Sequence, residues 1–418
     1  MYALIDAVSF YASAEKVFDP SIRNKPVVVL TNNDGCICAV CPIARKLGIP
    51  KFTPYFKIKH FLQKHGVVVR SSNYELYADL SDKMMNIIAR YSDNYYVYSI
   101  DEAFLHFKNY GGLIKDWYQY GHEIRRAIWK ETKLPVGVGY GITSTLAKAA
   151  NHAAKKLNGY DGVAVIEHIQ SGKAILERMD ISDVWGVGQK ITKRLKEQGI
   201  NNAHQLSLQS PKAIRKQFSV VMERTVNELN GISCLSWEEV KEPKQEIFST
   251  RSFGQRVTNI YTLKSALATH GAIVARKARQ QSSLIKKLLI FASNSPYDKV
   301  YYKQAIGYRF PNATDSSCEI ASAISQVLAN IFLQGVQFYR CGVGAIQLES
   351  RAYQQPDLFL PSNVHPQLMN CFDSINDRYG QGTLQLGCEG KIKTWQMKRH
   401  FLSPQYTSNW RDIPKIRC

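Results

Sequence analysis

The chain has 418 residues, 45% of them hydrophobic, and its 54 Lys and Arg outnumber 34 Asp and Glu for a formal net charge of +20. That length exceeds one hydrophobic core, so two to four domains are expected, and Gly and Pro near their usual levels argue against a large disordered tract. No apolar run approaches the roughly 20 residues that span a bilayer, no basic-then-apolar leader is visible, and nine irregularly placed cysteines do not form a disulfide framework, so a cytoplasmic protein without a membrane partner is expected.

Residues 2–8 read as a buried strand that carries a carboxylate, Asp6. Burying an unpaired charge is costly, so such a group is usually paired or bound to a metal. Ser9 is expected to cap the helix that follows, with Phe10 and Tyr11 in its first turn. A β run over 25–30 closes at Asn32-Asn33-Asp34-Gly35, a turn-prone sequence. Residues 36–70 read as a small mixed insertion. Cys36, Cys38 and Cys41 cluster there, but no second ligand pair lies near them in sequence, so reduced, mostly buried thiols are expected rather than zinc.

Helical spacing over 73–90 precedes two β runs, 95–100 and 103–107, with Asp101 and Glu102 between them. Strand side chains alternate faces, so two adjacent carboxylates converge only at a hairpin tip. Asp6, Asp101 and Glu102 together would form the all-oxygen site that Mg²⁺ prefers. A helix over 113–132, a short strand at Val136-Gly137-Val138-Gly139 and an Ala-rich helix over 143–156, bearing Lys148, Lys155 and Lys156, complete an α+β sheet covered by helices.

Gly186 and Gly188 end one helix and start another, with the apolar Leu195 seven residues on. This is the pattern of a helix-hairpin-helix, whose backbone N–H groups bind a DNA phosphate; Lys190, Lys193 and Arg194 add charge. A linker is expected over 236–244. Strands at 246–257, 289–293, 300–309 and 338–348, with helices at 262–286 and 317–334, give the order βαββαβ, and Arg251, Arg256, Lys299 and Lys303 are expected on the face away from the helices. Residues 245–345 hold 12 basic and 4 acidic side chains, the strongest candidate for a phosphate-backbone surface. In the tail, Gln355, Leu358 and Phe359 mark a short peptide ending in an apolar anchor.

Asp6 with Ser9-Phe-Tyr-Ala-Ser13, Ser99-Ile-Asp-Glu-Ala-Phe104 and Val184-Trp-Gly-Val-Gly188, in that order, resemble the Y-family translesion DNA polymerases. Asn32-Asn-Asp-Gly-Cys36, Ser71-Ser-Asn-Tyr-Glu-Leu-Tyr-Ala-Asp79, Lys244-Gln-Glu-Ile247, Arg251-Ser-Phe-Gly254 and Trp395-Gln-Met-Lys398 are similar to the UmuC type of that family. The resemblance implies an α+β multidomain right hand. Its parts would be a palm (1–30 and 73–165), fingers (31–72), a helical thumb (166–235), a linker (236–244), a βαββαβ little finger (245–345) and a C-terminal partner-binding extension (346–418).

The activity implied is error-prone, template-directed DNA synthesis in the SOS response to damage, with two Mg²⁺ ions held by Asp6, Asp101, Glu102 and the Ala7 carbonyl. Phe10, Tyr11, Arg45 and Lys155 would meet the nucleotide, Tyr11 as the gate against a 2′-hydroxyl. Gly186, Gly188, Lys190, Lys193, Arg194, Arg251 and Arg256 would meet the DNA. Implied partners are primer-template DNA, a dNTP, a UmuD′-like dimer, a RecA filament and a sliding clamp, the last through Gln355, Leu358 and Phe359. Two positions depart from the family: Pro42 replaces a phosphate-binding Tyr three residues before Arg45, and Ser144 replaces a Lys. The alternatives are a non-catalytic scaffold with the same fold, which would be expected to lose palm carboxylates, and a nucleotide cyclase, which leaves the helix-hairpin-helix unexplained.

Overall fold

The computed structural model describes residues 1–108, 110, 112–235, 243–353, 366–391 and 393–414. The chain divides into two compact units: Met1–Glu239 with His400–Cys418, and Val240–Arg399. The second unit is thus an insertion in the chain of the first.

Along the first unit run β1 (Tyr2–Ala7), α1 (Phe10–Ala14), β2 (Val27–Leu30), β3 (Ile37–Val40), α2 (Pro42–Lys46), α3 (Tyr55–Lys64), β4 (Val68–Ser71) and α4 (Tyr74–Ile88). There follow β5 (Tyr95–Val97), β6 (Glu102–His106), α5 (Trp117–Thr132), β7 (Val136–Gly141), α6 (Ser144–Lys156) and β8 (Val163–Ile166). Five helices close the unit: α7 (Ile169–Arg178), α8 (Gln189–Glu197), α9 (Ala203–Ser207), α10 (Pro211–Gln217) and α11 (Val220–Leu229).

The main sheet has the order β5-β6-β1-β7-β8, with β1 central and antiparallel to both neighbours. Helix α6 lies very close to it, and the sequence shows why. Gly137, Gly139 and Gly141 alternate along β7, and a Cβ on Gly139 would fall 2.0 Å from the Asn151 backbone nitrogen. The facing helix answers with small residues, Ala147, Ala150 and Ala154. Asn151 fastens the two layers by donating to the carbonyls of Leu4 (3.0 Å) and Gly137 (2.8 Å).

The β run expected in the palm at 25–30 does not join this sheet. As β2 it pairs with β3 and, in parallel, with β4, in a separate sheet of order β3-β2-β4. Its four residues are all buried, so its continuous apolar run suited either sheet. Within this sheet the Cys41 sulfur accepts from the Val27 and Ala44 amides, placing that thiol in structural use.

Ser9 occupies the N-cap of α1 but makes no side-chain cap, contrary to expectation; its φ of 50° is left-handed, and its hydroxyl accepts from Arg45 instead. The chain returns at residue 400 as a strap that meets Ser71 of β4 and Asn73, the N-cap of α4.

In the second unit β9 (Ile247–Val257), α12 (Ile260–Gln280), β10 (Ser283–Ser293), β11 (Lys303–Thr314), α13 (Ser317–Ile331) and β12 (Phe338–Ser350) follow the expected βαββαβ order, with sheet order β11-β10-β12-β9. The first helix is shorter than the expected 262–286. Ser282 takes a left-handed φ of 54°, and the following residues start an 11-residue strand whose alternation Lys286-Lys287 had obscured. Helix α14 (Pro366–Tyr379) is tied to α12 by Arg279 to Asp373 (2.6 Å) and Arg276 to Asp377 (2.5 Å). Trp395 is buried in this unit's core. The stretch from Trp395 to Pro404 is therefore divided, its start in the second unit and its end on the first.

Candidate active site and nucleic-acid interface

Asp6 and Glu102 are register partners across β1 and β6. The turn before β6 is closed by the Tyr98 and Ser99 amides donating to the Glu102 carbonyl, and the Asp101 carbonyl accepts from the Ala7 amide (3.0 Å). That reverse bend overcomes strand alternation and brings Asp101 and Glu102 to the same side as Asp6. All three line one cleft of about 600 Å³ with Phe10, Tyr11, Arg45 and Lys155.

The carboxylates face cations. Lys155 Nζ lies 2.6 Å from Asp6 Oδ2 and 3.4 Å from the Ala7 carbonyl. Lys148 Nζ lies 3.1 Å from Glu102 Oε2, and Ser99 Oγ donates to Asp101 Oδ1 (2.7 Å). Burial raises the Asp6 pKa to about 6; Lys155 lowers it, and the negative charge of Glu102 and Asp101 raises it further. Hard oxygen donors clustered closely enough to repel one another are the chemistry that accommodates a divalent cation. Among the described residues no three His, Cys, Asp or Glu side chains are gathered around a single point as they stand. The donor set therefore fits Mg²⁺ in kind, and Lys155 holds the position between Asp6 and Ala7.

Tyr11 is half-buried and stacks on Tyr77 with ring centroids 4.5 Å apart and 15° between planes. Phe10, 3% exposed, is chiefly a core residue with its edge on the cleft wall. Arg45 reaches the cleft from α2 and donates to Ser9 Oγ (3.3 Å). Pro42 begins that helix. Ser144 is away from the cleft: it is 1% exposed and donates to Glu228 Oε2 (3.0 Å).

Several cleft residues escaped the sequence reading, Lys51, Asn151 and His152, and so did the specific role of Lys148. Lys148 had a signal, since it precedes Lys155 by two helical turns and so shares its face. It also lies over the rings of Tyr98 (4.4 Å) and Trp185 (4.8 Å), joining the acidic tip to the Val184-Trp-Gly turn by cation–π contact.

Gly188 is the N-cap of α8, and Gly186 has the positive φ (87°) that the preceding turn requires. Lys190 and Lys193 are exposed. Arg194 is also exposed and donates to the Gln217 carbonyl (2.8 Å) while lying over the Phe218 ring. In the second unit Arg251 departs from the expected open face. It pairs with the core residue Cys341, and Ser249, on the same side of the strand, bonds His270 of α12, which places Arg251 on the helix side of the sheet, where it remains exposed. Arg256 is ion-paired with Asp298 (3.0 Å). The open face instead gathers Phe248, Phe291, Tyr301, Lys303 and Arg340 around a shallow cavity of about 410 Å³. Gln355, Leu358 and Phe359 lie outside the described residues.

A five-stranded palm sheet with an acidic hairpin tip, a small fingers sheet, a helical thumb and a βαββαβ unit define the Y-family DNA polymerase fold. A solved Y-family polymerase chimera, Dbh-Dpo4(243-245)-Dbh, shares it with a TM-score of 0.63 at 19% identity, over 82% of this chain and 98% of that one. Family models described as impB/mucB/samB family and its C-terminal domain match residues 5–152 and 244–358, and a domain of unknown function, DUF4113, matches 366–416. Protein UmuC of Salmonella typhimurium is 40% identical over the full length of both chains. DNA polymerase IV of Saccharolobus solfataricus is 32% identical over 47% of this chain and 55% of its own. The chain belongs to the impB/mucB/samB family of Y-family DNA polymerases. Among the described residues no helix is long and apolar enough to cross a membrane.

Proposed function

We propose that the chain is an error-prone, template-directed translesion DNA polymerase that joins a deoxynucleoside triphosphate to a primer 3′-hydroxyl during SOS tolerance of DNA damage. The observation that carries this is the pairing of Asp6 with Glu102 across β1 and β6, with Asp101 at the adjoining tip, in one cleft with Tyr11, Arg45 and Lys155. Asp6, Asp101, Glu102 and the Ala7 carbonyl would hold two Mg²⁺ ions. Bound there, such ions lower the pKa of the attacking hydroxyl and offset charge on the triphosphate.

The chain's own groups do the rest. Arg45 and Lys155 offer cationic donors to phosphate oxygens, and Lys155, now paired with Asp6, would be free to turn to them if that carboxylate held a metal ion. The Tyr11 ring closes the space beside the sugar. Lys148, held over Tyr98 and Trp185, steadies Glu102. Lys190 and Lys193 beside the α8 N-terminus, with Arg256 of the second unit, would meet the DNA backbone. A UmuD′-like dimer, a RecA filament and a sliding clamp are the proposed protein partners. In a primer-extension assay Asp101→Asn is expected to lower synthesis by at least roughly 100-fold, the scale of a lost electrostatic group in an active site. Wild-type activity in that variant would refute the assignment.

A further inference from the structure

The strap that begins at His400 is built into a seam lined by Asp34, Ser71 and Asn73. Three buried polar side chains face it. Asp34, 8% exposed, accepts from the His400 amide (2.8 Å) and from the Ser71 hydroxyl (2.6 Å). Ser71 in turn accepts from the Phe401 amide (2.9 Å), while its own amide donates to the Phe401 carbonyl (3.0 Å). Asn73, wholly buried, directs its amide group at Ser403 Oγ (3.0 Å) and the Pro404 carbonyl (3.3 Å). Aromatic contacts flank these bonds: Phe401 meets Tyr55 edge-on, and Tyr406 stacks on Phe18 at 5.0 Å.

Buried donors and acceptors are paired in folded proteins because an unmade bond costs more than a made one gains. Asp34, Ser71 and Asn73 each lose a partner if the strap leaves. The seam is therefore shaped around the strap.

Asn73 is also the N-cap of α4. Its Oδ1 accepts from the Leu76 amide (3.4 Å), and its carbonyl accepts from the Tyr77 amide (3.0 Å). Tyr74 and Tyr77, on that same first turn, are the bed on which Tyr11 rests. Tyr77 stacks beneath it, and Tyr74 meets it edge-on at 6.2 Å. The Tyr77 hydroxyl is fixed from behind by Glu15 Oε1 (2.6 Å). With the strap on one side of Asn73 and the aromatic bed on the other, a shift in the first turn moves the ring under Tyr11.

We propose that the strap, residues 400–406, positions the sugar gate. Through Asn73 it fixes the first turn of α4, and through Tyr77 it holds Tyr11 at the height that rejects a 2′-hydroxyl. Asn73, Ser71 and Ser403 are positioning residues, since none of them lines the nucleotide cleft. The inference rests on the polymerase reading above, but its mechanical half can be measured without catalysis.

The test uses the full chain in four forms: wild type, Asn73→Ala, the double variant Phe401→Ala/Tyr406→Ala, and Tyr11→Ala as the reference for a lost gate. Primer extension gives kcat/KM for a matched dNTP and the corresponding rNTP. Hydrogen exchange reads the segments 73–77 and 400–406. In both strap variants the dNTP/rNTP ratio should fall about tenfold toward that of Tyr11→Ala, a difference of about 1.4 kcal/mol in transition-state discrimination, while dNTP kcat/KM changes little. Residues 73–77 should exchange faster when the strap is released. A ratio that stays at the wild-type value with the strap shown to be released overturns the proposal, as does unchanged protection at 73–77. If the wild type extends no primer, the polymerase reading fails, and the exchange result alone decides whether the strap pins α4.

Discussion

Glu228 of α11 offers the most direct test of how the cleft is supported. Its side chain is fully buried. Oε2 accepts from Ser144 Oγ (3.0 Å) and the Thr145 amide (3.0 Å), and Oε1 accepts from the amides of Cys234 (2.7 Å) and Leu235 (3.3 Å). A carboxylate at the N-terminus of α6 also complements that helix's dipole. Replacing it with Ala strands four donors. Hydrogen bonds to charged groups contribute about 1.5–3 kcal/mol each, but those at the partly exposed Cys234 and Leu235 can be remade to water, so a loss of about 3–5 kcal/mol is expected. Glu228→Gln keeps one oxygen and turns an NH₂ toward one pair of donors, so it should lose about half as much. Because unfolding of a chain with two units need not be two-state, the measurement is native-state hydrogen exchange of α6 amides across a urea series. As α6 carries Lys148, Asn151 and Lys155, Glu228→Ala should also weaken nucleotide binding. Unchanged α6 protection in Glu228→Ala, corresponding to a loss under about 1 kcal/mol, would refute this account.

Other consequences are equally open to measurement. His270 is buried between Ser249 and Trp395, and burial, with Arg251 and Lys393 nearby, lowers its pKa to about 4 from 6.5. The unfolded chain takes up this proton first, so stability of the second unit present above pH 6.5 is lost as pH falls toward 4, by about 3 kcal/mol. His270→Asn should flatten that part of the pH profile, and an identical profile in the variant would exclude His270 as the cause. Gly139→Ala should destabilise the first unit by more than about 3 kcal/mol, since the new Cβ meets helix backbone rather than a movable side chain; a thermal midpoint like that of wild type would contradict the packing. Leu358→Ala with Phe359→Ala should weaken binding to a sliding clamp in surface plasmon resonance while leaving distributive synthesis intact, and equal affinity would reject the anchor.

Much of the site was legible because its signals are local. A carboxylate inside an apolar strand, two more at a hairpin tip and alternating glycines opposite an alanine-rich helix each carry their meaning within a few residues. The same holds for Gly186, where one turn requires a positive φ. What the sequence did not reveal are contacts made far along the chain. Arg194, expected at the phosphate, also donates to the Gln217 carbonyl and lies over the Phe218 ring. Arg251 is exposed as a surface cation should be, but its pairing with Cys341 puts it on the other face of the sheet from the one expected. Ser144, read as a missing phosphate contact, is a partner for Glu228, 84 residues away.

The order of amino acids alone determined the composition of the acidic centre, the βαββαβ order of the second unit and that unit's basic excess. Those features follow from burial cost, periodicity and charge, which act along the chain. Only the tertiary structure decided that β2 leads a sheet of its own, that lysines stand against the carboxylates, and that residues 400–406 return to brace the helix under Tyr11. Each of these depends on which long-range pairing satisfies a buried polar or apolar surface, and a linear sequence does not specify that choice.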